Sequence, residues 1–103
     1  MELGIGMFGD MSFNSEEQSY QPASDRLKEI IEQVRAADSL GIDVFAMGEH
    51  HREDYAVSSP EIVLAALSSV TRNIRLSSGV SVLSSVDPVK LFQDFSTIEL
   101  LSD

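Results

Sequence analysis

Cysteine is missing from this sequence, which removes disulfides, thiolate catalysis and cysteine-based metal sites, since each needs that sulfur. Basic residues are scarce as well: seven Lys and Arg stand against seventeen Asp and Glu, a formal charge of −10. Nucleic-acid binding draws most of its affinity from cations that neutralise phosphates, so no nucleic-acid partner is expected, and an anionic membrane surface is disfavoured for the same reason. Met1-Glu2-Leu3-Gly4-Ile5 offers neither a basic leader nor a long apolar run. Neither a signal peptide nor a transmembrane helix is therefore expected, and the cytoplasm is the default location. Also lacking is any Gly-x-Gly-x-x-Gly after the first apolar stretch, the phosphate fingerprint of doubly wound nucleotide-binding sheets.

What is present is an ordinary globular composition, 43% hydrophobic and 23% charged over 103 residues, enough for one small domain. Leu3 to Phe8 is a short apolar stretch interrupted by glycines and bounded by Gly9-Asp10, which suits a buried strand. From Gly9 to about Ala23 the composition turns to Ser, Asn, Glu and Gln with Pro22. This reads as a long connection without a hydrophobic period, of the kind that is usually functional or mobile. Ser24 is a candidate helix cap, and Leu27, Ile30, Ile31, Val34 and Ala37 recur along one helical face. Leu40-Gly41 ends that helix. Ile42 to Gly48 has the length and apolarity of a strand buried on both faces. A polar burst, Glu49-His50-His51-Arg52-Glu53-Asp54-Tyr55, follows directly. Ser58-Ser59-Pro60-Glu61 signals a second helix, whose expected buried stripe is Ile62, Val63, Ala66, Leu67 and Val70. Ile74 to Leu83 reads as a third strand carrying Gly79. Asp87-Pro88 opens a third helix with Val89, Leu91, Phe92, Phe95, Ile98 and Leu101 inward.

Strand and helix alternate three times, which calls for an α/β fold: a parallel βαβαβα run joined by right-handed crossovers, with all strand-to-helix loops on one sheet edge. Helices on one side leave the other sheet face bare, and that face is expected to be apolar and to need covering. Closure into a barrel meets this need with eight units. The expected architecture is therefore three of the eight units of a TIM (β/α)8 barrel, with residues 1–103 an incomplete, amino-terminal portion of one domain.

Glu49-His50-His51 carries the strongest chemical signal, because catalytic side chains of barrel enzymes project from the carboxyl ends of strands. An imidazole there can give or take a proton near neutral pH. The bland alternative is a pair of solvated loop histidines. A metal site is disfavoured, since adjacent histidines point in different directions and no further ligand set is evident. Gly79-Val80-Ser81 is the second feature: a glycine in a strand lets a ligand or another backbone approach closely, or simply marks a bulge. Met7, Phe8 and Met11 suit either an apolar wall or the core, and Arg72 and Arg75 are expected to be solvated at the opposite end. The acidic loop around Glu16-Glu17 suits a solvent-facing segment or a substrate-covering flap.

These stretches together resemble a known family. Gly41-Ile42-Asp43 through Glu49-His50-His51, Tyr55-Ala56-Val57-Ser58-Ser59-Pro60, Asn73 to Val80, and Asp87-Pro88-Val89 through Leu100-Leu101-Ser102 are similar, in order and spacing, to the bacterial-luciferase-like flavin monooxygenases. The resemblance implies a (β/α)8 barrel that takes reduced FMN, or in one branch a deazaflavin, at its mouth, and oxidises an aldehyde or other small organic substrate with O2. It implies His50 as the acid-base residue. Glu49 and His51 would orient it or line the pocket, and Gly79, Val80 and Ser81 would lie against the cofactor, with a cis peptide expected at Gly79-Val80. A flavin reductase and a homo-oligomer are the implied partners. Members normally continue past Leu101-Ser102 into five more units, so this chain by itself is expected neither to bind flavin tightly nor to turn over. The alternatives are a deazaflavin-dependent oxidoreductase of the same fold and a non-catalytic, self-associating fragment.

Overall fold

The computed structural model describes residues 1–102. Its elements run β1 (Gly4–Met7), a small hairpin of β2 (Phe13–Asn14) and β3 (Ser19–Tyr20), α1 (Ala23–Ser39), β4 (Val44–Met47), α2 (Pro60–Ser68), β5 (Arg75–Ser78) and α3 (Pro88–Ser102). β1, β4 and β5 form one parallel sheet in that order. Gly4 lies opposite Val44 and Met7 opposite Met47, while Val44 lies opposite Arg75 and Met47 opposite Ser78. The in-register pairing brings all three strands to an end at the same edge, which is the edge that bears the polar burst.

Side chains alternate across a strand, and here the two faces differ sharply. Phe45 and Met47 are buried with Ile5, Met7 and Leu76 beside them, and the core continues into Ile30, Val34 and Ala37 of α1 and Leu64 and Leu67 of α2. The opposite face presents Gly4, Gly6, Val44, Ala46, Arg75 and Ser77. The expectation of a bare apolar face is thus corrected. Small and polar side chains stand there, and the strand from Ile42 to Gly48 is fully packed only through alternate residues.

Helix α1 follows its predicted stripe, with Ile30, Val34 and Ala37 buried. Its start differs: Pro22 occupies the cap position, and no side chain caps the first turn, so Ser24 does not serve as the cap. Its end is a Schellman arrangement, in which Gly41 N donates to Asp38 O (3.2 Å) and Ile42 N to Ala37 O (3.0 Å), with Gly41 at φ +83°. In α2 the buried residues are Pro60, Leu64, Leu67 and Ser68, whereas Ile62, Ala66 and Val70 are exposed. The helix faces the sheet with the 60-64-67-68 stripe, one step round from the predicted one. α3 packs against α2, and of its predicted inward residues only Ile98 is buried. Val89, Phe92 and Leu101 are exposed, Phe92 at 72%, because the described chain provides a neighbour on one flank only. Asp87 does open this helix, its Oδ1 accepting from Val89 N at 2.8 Å and Lys90 N at 3.2 Å.

Two further expectations change. The connection from Gly9 to Ala23 contains the β2–β3 hairpin, with Phe13 and Tyr20 paired edge to face at 5.2 Å. The third strand stops at Ser78, well short of Leu83. Arg75 pairs with Glu2 at 2.6 Å at the edge remote from the polar burst.

The turn into β5 is fixed by one side chain. Asp38, in the last turn of α1, accepts from the backbone N–H groups of Arg72 (2.8 Å), Asn73 (2.9 Å) and Ile74 (2.8 Å). These donors hold its carboxyl below the usual carboxylate range. Asp38→Ala is expected to cost about 1–2 kcal/mol, the scale of a lost capping oxygen, read as a lower urea midpoint. Because the folded-state pKa is depressed, this stabilisation is present above the ordinary carboxylate pKa and is lost as pH falls through the lowered value. The stability gap between parent and variant should therefore close in acid.

Candidate functional site

The residues that follow each strand meet at the common edge. After β4 the chain turns back, His50 N donating to Val57 O at 3.0 Å. It is then tied to the segment after β1: Ala56 N donates to Gly9 O (2.7 Å), Met11 N donates to Asp54 O (3.0 Å), and Asp10 and Tyr55 form an antiparallel bridge. Arg26 of α1 secures the same corner by donating from Nε to Asp10 O at 2.8 Å. The polar burst is therefore a braced loop rather than a free one.

His50 sits within this brace. Its ring stacks on Tyr55, with centroids 4.2 Å apart and planes 12° from parallel, and meets Phe8 edge to face at 5.4 Å. Arg52 lies 5.6 Å from the Tyr55 ring centre, a cation–π contact. Nδ1 of His50 is buried and has no hydrogen-bond partner among the described residues. A buried imidazole nitrogen without a partner is costly, so this atom is the natural point of attachment for a group that brings a donor or acceptor. Of the proposed apolar wall, Met7 belongs to the core, whereas Phe8 is exposed and touches His50.

Glu49 points elsewhere. Its side chain is only 6% exposed, and its Oε2 accepts from Val82 N (2.9 Å) and Ser85 Oγ (3.2 Å) and lies 3.3 Å from Nε2 of the more exposed His51. Glu49 and His51 are thus paired with each other, and the carboxylate reaches the segment after β5. That segment begins with Gly79, whose N–H donates to Met47 O at 2.7 Å, the last bond of the sheet. The Gly79–Val80 peptide bond is cis. Val80 is 70% exposed, and Ser81 Oγ donates to Ser78 Oγ at 2.9 Å. Gly79 is required by crowding, since a Cβ added there would lie 2.9 Å from Cβ of Ala46. It stands just after the strand rather than inside it.

The structure thus brings together Glu49, His51 and the segment from Gly79 to Ser85, with His50 alongside on its aromatic support. Tyr55 is a contributor that sequence reasoning did not single out as a site residue, and Phe8 was foreseen only as part of an apolar wall or the core. Tyr55 is five residues from His50 in a loop, a spacing with no periodic meaning. Val82 contributes a backbone N–H, which leaves no mark in sequence.

Residues 5–103 match the luciferase-like monooxygenases, and the chain belongs to that family. It is 32% identical over 83 residues to the N-acetyl-S-alkylcysteine monooxygenase of Bacillus subtilis (strain 168), covering 80% of this chain and 25% of that protein. With the oxygenase component of the flavin-dependent trigonelline monooxygenase of Acinetobacter baylyi it shares 28% identity over 102 residues, 98% of this chain and 28% of that protein. The crystal structure of apo-MsnO8 superposes with a TM-score of 0.86 at 31% identity, over 98% of this chain and 29% of that one. The chain thus spans between 25% and 29% of the length of these proteins.

Crowding at Gly79 can be tested directly. Gly79→Ala is expected to destabilise by about 1–3 kcal/mol, as over-packing of a well-filled site does. Combining it with Ala46→Gly removes the opposing methyl, so a double-mutant cycle by urea unfolding should return a clear coupling rather than additivity.

Proposed function

We propose that this chain is the amino-terminal part, three of eight βα units, of a (β/α)8 flavin-dependent monooxygenase that uses reduced FMN and O2 on an aldehyde or other small organic substrate. The observation that carries the reading is His50, held between Tyr55 and Phe8 with a buried, unpartnered Nδ1, beside strand ends packed tightly at Gly79. Family membership supports it, as do relatives named as monooxygenases, one of them flavin-dependent.

The residues fit such a cofactor. Gly79, Val80 and Ser81 would hold it, the close packing of Gly79 on Ala46 leaving the segment flush with the strand ends, while the Glu49–His51 pair stands behind that segment. Reduced FMN, when bound, supplies the electrons that activate O2. The protein's own part is to exclude water and to move a proton, and His50 is the acid-base group, giving or taking it at Nδ1. The brace through Gly9, Asp10, Ala56 and Tyr55 fixes the imidazole plane, which matters because proton transfer requires a positioned donor. One relative is described as the oxygenase component of its enzyme, and a separate flavin reductase is the partner proposed here. We propose further that the working enzyme is a cytoplasmic homo-oligomer; no helix among the described residues is long and apolar enough to cross a membrane. The 103 residues alone lack most of the mouth and are proposed to be inactive.

The test uses the full-length polypeptide that continues this chain. His50→Ala should lower kcat by about 100-fold to 10,000-fold, the usual range for a general acid or base, while the Kd for FMN changes little. Equal losses in both would remove the acid-base role. Turnover with a deazaflavin and no oxygen consumption would replace the monooxygenase with an oxidoreductase of the same fold.

A further inference from the structure

Glu49 carries a carboxyl group into a site where its side chain is only 6% exposed. Burying a carboxylate is expensive unless several donors meet it. Here two converge on one oxygen, Oε2, the N–H of Val82 and the hydroxyl of Ser85, and Nε2 of His51 lies 3.3 Å from the same atom. Both donors come from the segment after β5, 33 and 36 residues further along the chain. The remaining ties of that segment are local: Ser85 N donates to Val82 O at 3.1 Å, the single proton of Ser85 Oγ is shared between Glu49 Oε2 (3.2 Å) and Val82 O (2.9 Å), and Ser81 Oγ donates to Ser78 Oγ. No regular element lies between Ser78 and Pro88, and Val80, Leu83 and Ser85 are exposed. Beyond the last sheet bond at Gly79, the carboxylate is what connects this stretch to β4.

We propose that Glu49 is a positioning residue: its carboxylate latches residues 79–85 to the end of β4 and so sets the backbone surface that Gly79, Val80 and Ser81 offer to the cofactor, without itself touching flavin or substrate. This rests on the flavin reading above for its consequence, but the latch itself stands on the hydrogen bonds alone. His51 flanks the same latch, its Nε2 3.3 Å from Oε2 of Glu49. It is half-exposed, so its contribution is screened and smaller than that of the Val82 N–H.

Two variants separate the latch from a chemical role. In Glu49→Gln the amide oxygen still accepts from Val82 N and Ser85 Oγ. In Glu49→Ala nothing does. Hydrogen exchange of the full-length protein without flavin is expected to rise about tenfold over residues 79–86 in Glu49→Ala, with the core peptides of α1 and β4 unchanged, and to stay near the parent value in Glu49→Gln. The Kd for FMN is expected to weaken about tenfold in Glu49→Ala and to be restored in Glu49→Gln, with kcat at saturating FMN preserved in both. Unchanged exchange over 79–86 in Glu49→Ala overturns the latch. A fall in kcat at saturating FMN in both variants, with Kd unaltered, overturns it in favour of direct catalysis. If Glu49→Ala does not fold, Ser85→Ala removes one donor at an exposed position; a rise of about twofold in exchange over 79–86 supports the latch and no rise overturns it. If the parent protein binds no flavin, the flavin reading fails, and the exchange result still decides for or against the latch.

Discussion

The parallel, in-register pairing of β1, β4 and β5 is the constraint on which the rest of this molecule depends. β4 lies in the middle, bonded on both sides, with Phe45 and Met47 fully buried beneath it. Parallel strands need crossover connections, and these carry the helices to one face. Two consequences follow from that single arrangement. The apolar residues of α1 and α2 find a common core under one face, and the strands all stop at the same edge. Residues as far apart in sequence as Gly9, Glu49 and Val82 become neighbours there without any long-range element of their own.

At that edge the two loops after β1 and β4 restrain each other through backbone hydrogen bonds, while the loop after β5 is restrained by a side chain. The difference is physical. Backbone pairing between Gly9–Met11 and Asp54–Ala56 needs two extended segments side by side, which the adjacency of β1 and β4 supplies. After the Gly79 N–H the chain makes no further backbone bond to β4, and the carboxylate of Glu49, at the end of that strand, meets the Val82 N–H instead. Asp38 performs the same service at the opposite end of β5, accepting from three successive N–H groups. A pair of acids, one at each end, thus fixes the position of an edge strand whose own residues, Arg75 to Ser78, are largely polar.

Glycine, alanine and serine on the uncovered face belong to the same logic. A methyl at Gly79 would collide with Ala46, so the close approach of neighbouring strand ends is written into small residues. The apolar character expected of this face came from counting hydrophobic residues in the strands without assigning them to sides. Phe45, Met47, Ile5 and Leu76 all lie on the helix side, which leaves little apolar surface for the other.

What the sequence determined by itself is everything that depends on local chemistry. The order of elements, the Gly41 terminus of α1, the Asp87-Pro88 opening of α3, and the placement of Glu49-His50-His51 directly after a strand were all legible, because spacing, capping and turn propensity act over a few residues. The stripes of α2 and α3, the early end of β5 and the β2–β3 hairpin were not, because each depends on which neighbour a face meets. The roles within the site divide in the same way. Three adjacent polar residues marked a candidate site, but tertiary structure alone decided that Glu49 turns to a distant backbone N–H and a serine hydroxyl while His50 rests on Tyr55. Hydrogen-bond partners separated by more than thirty residues are chosen by the register of the sheet, and register is a property of the assembled strands rather than of any one segment.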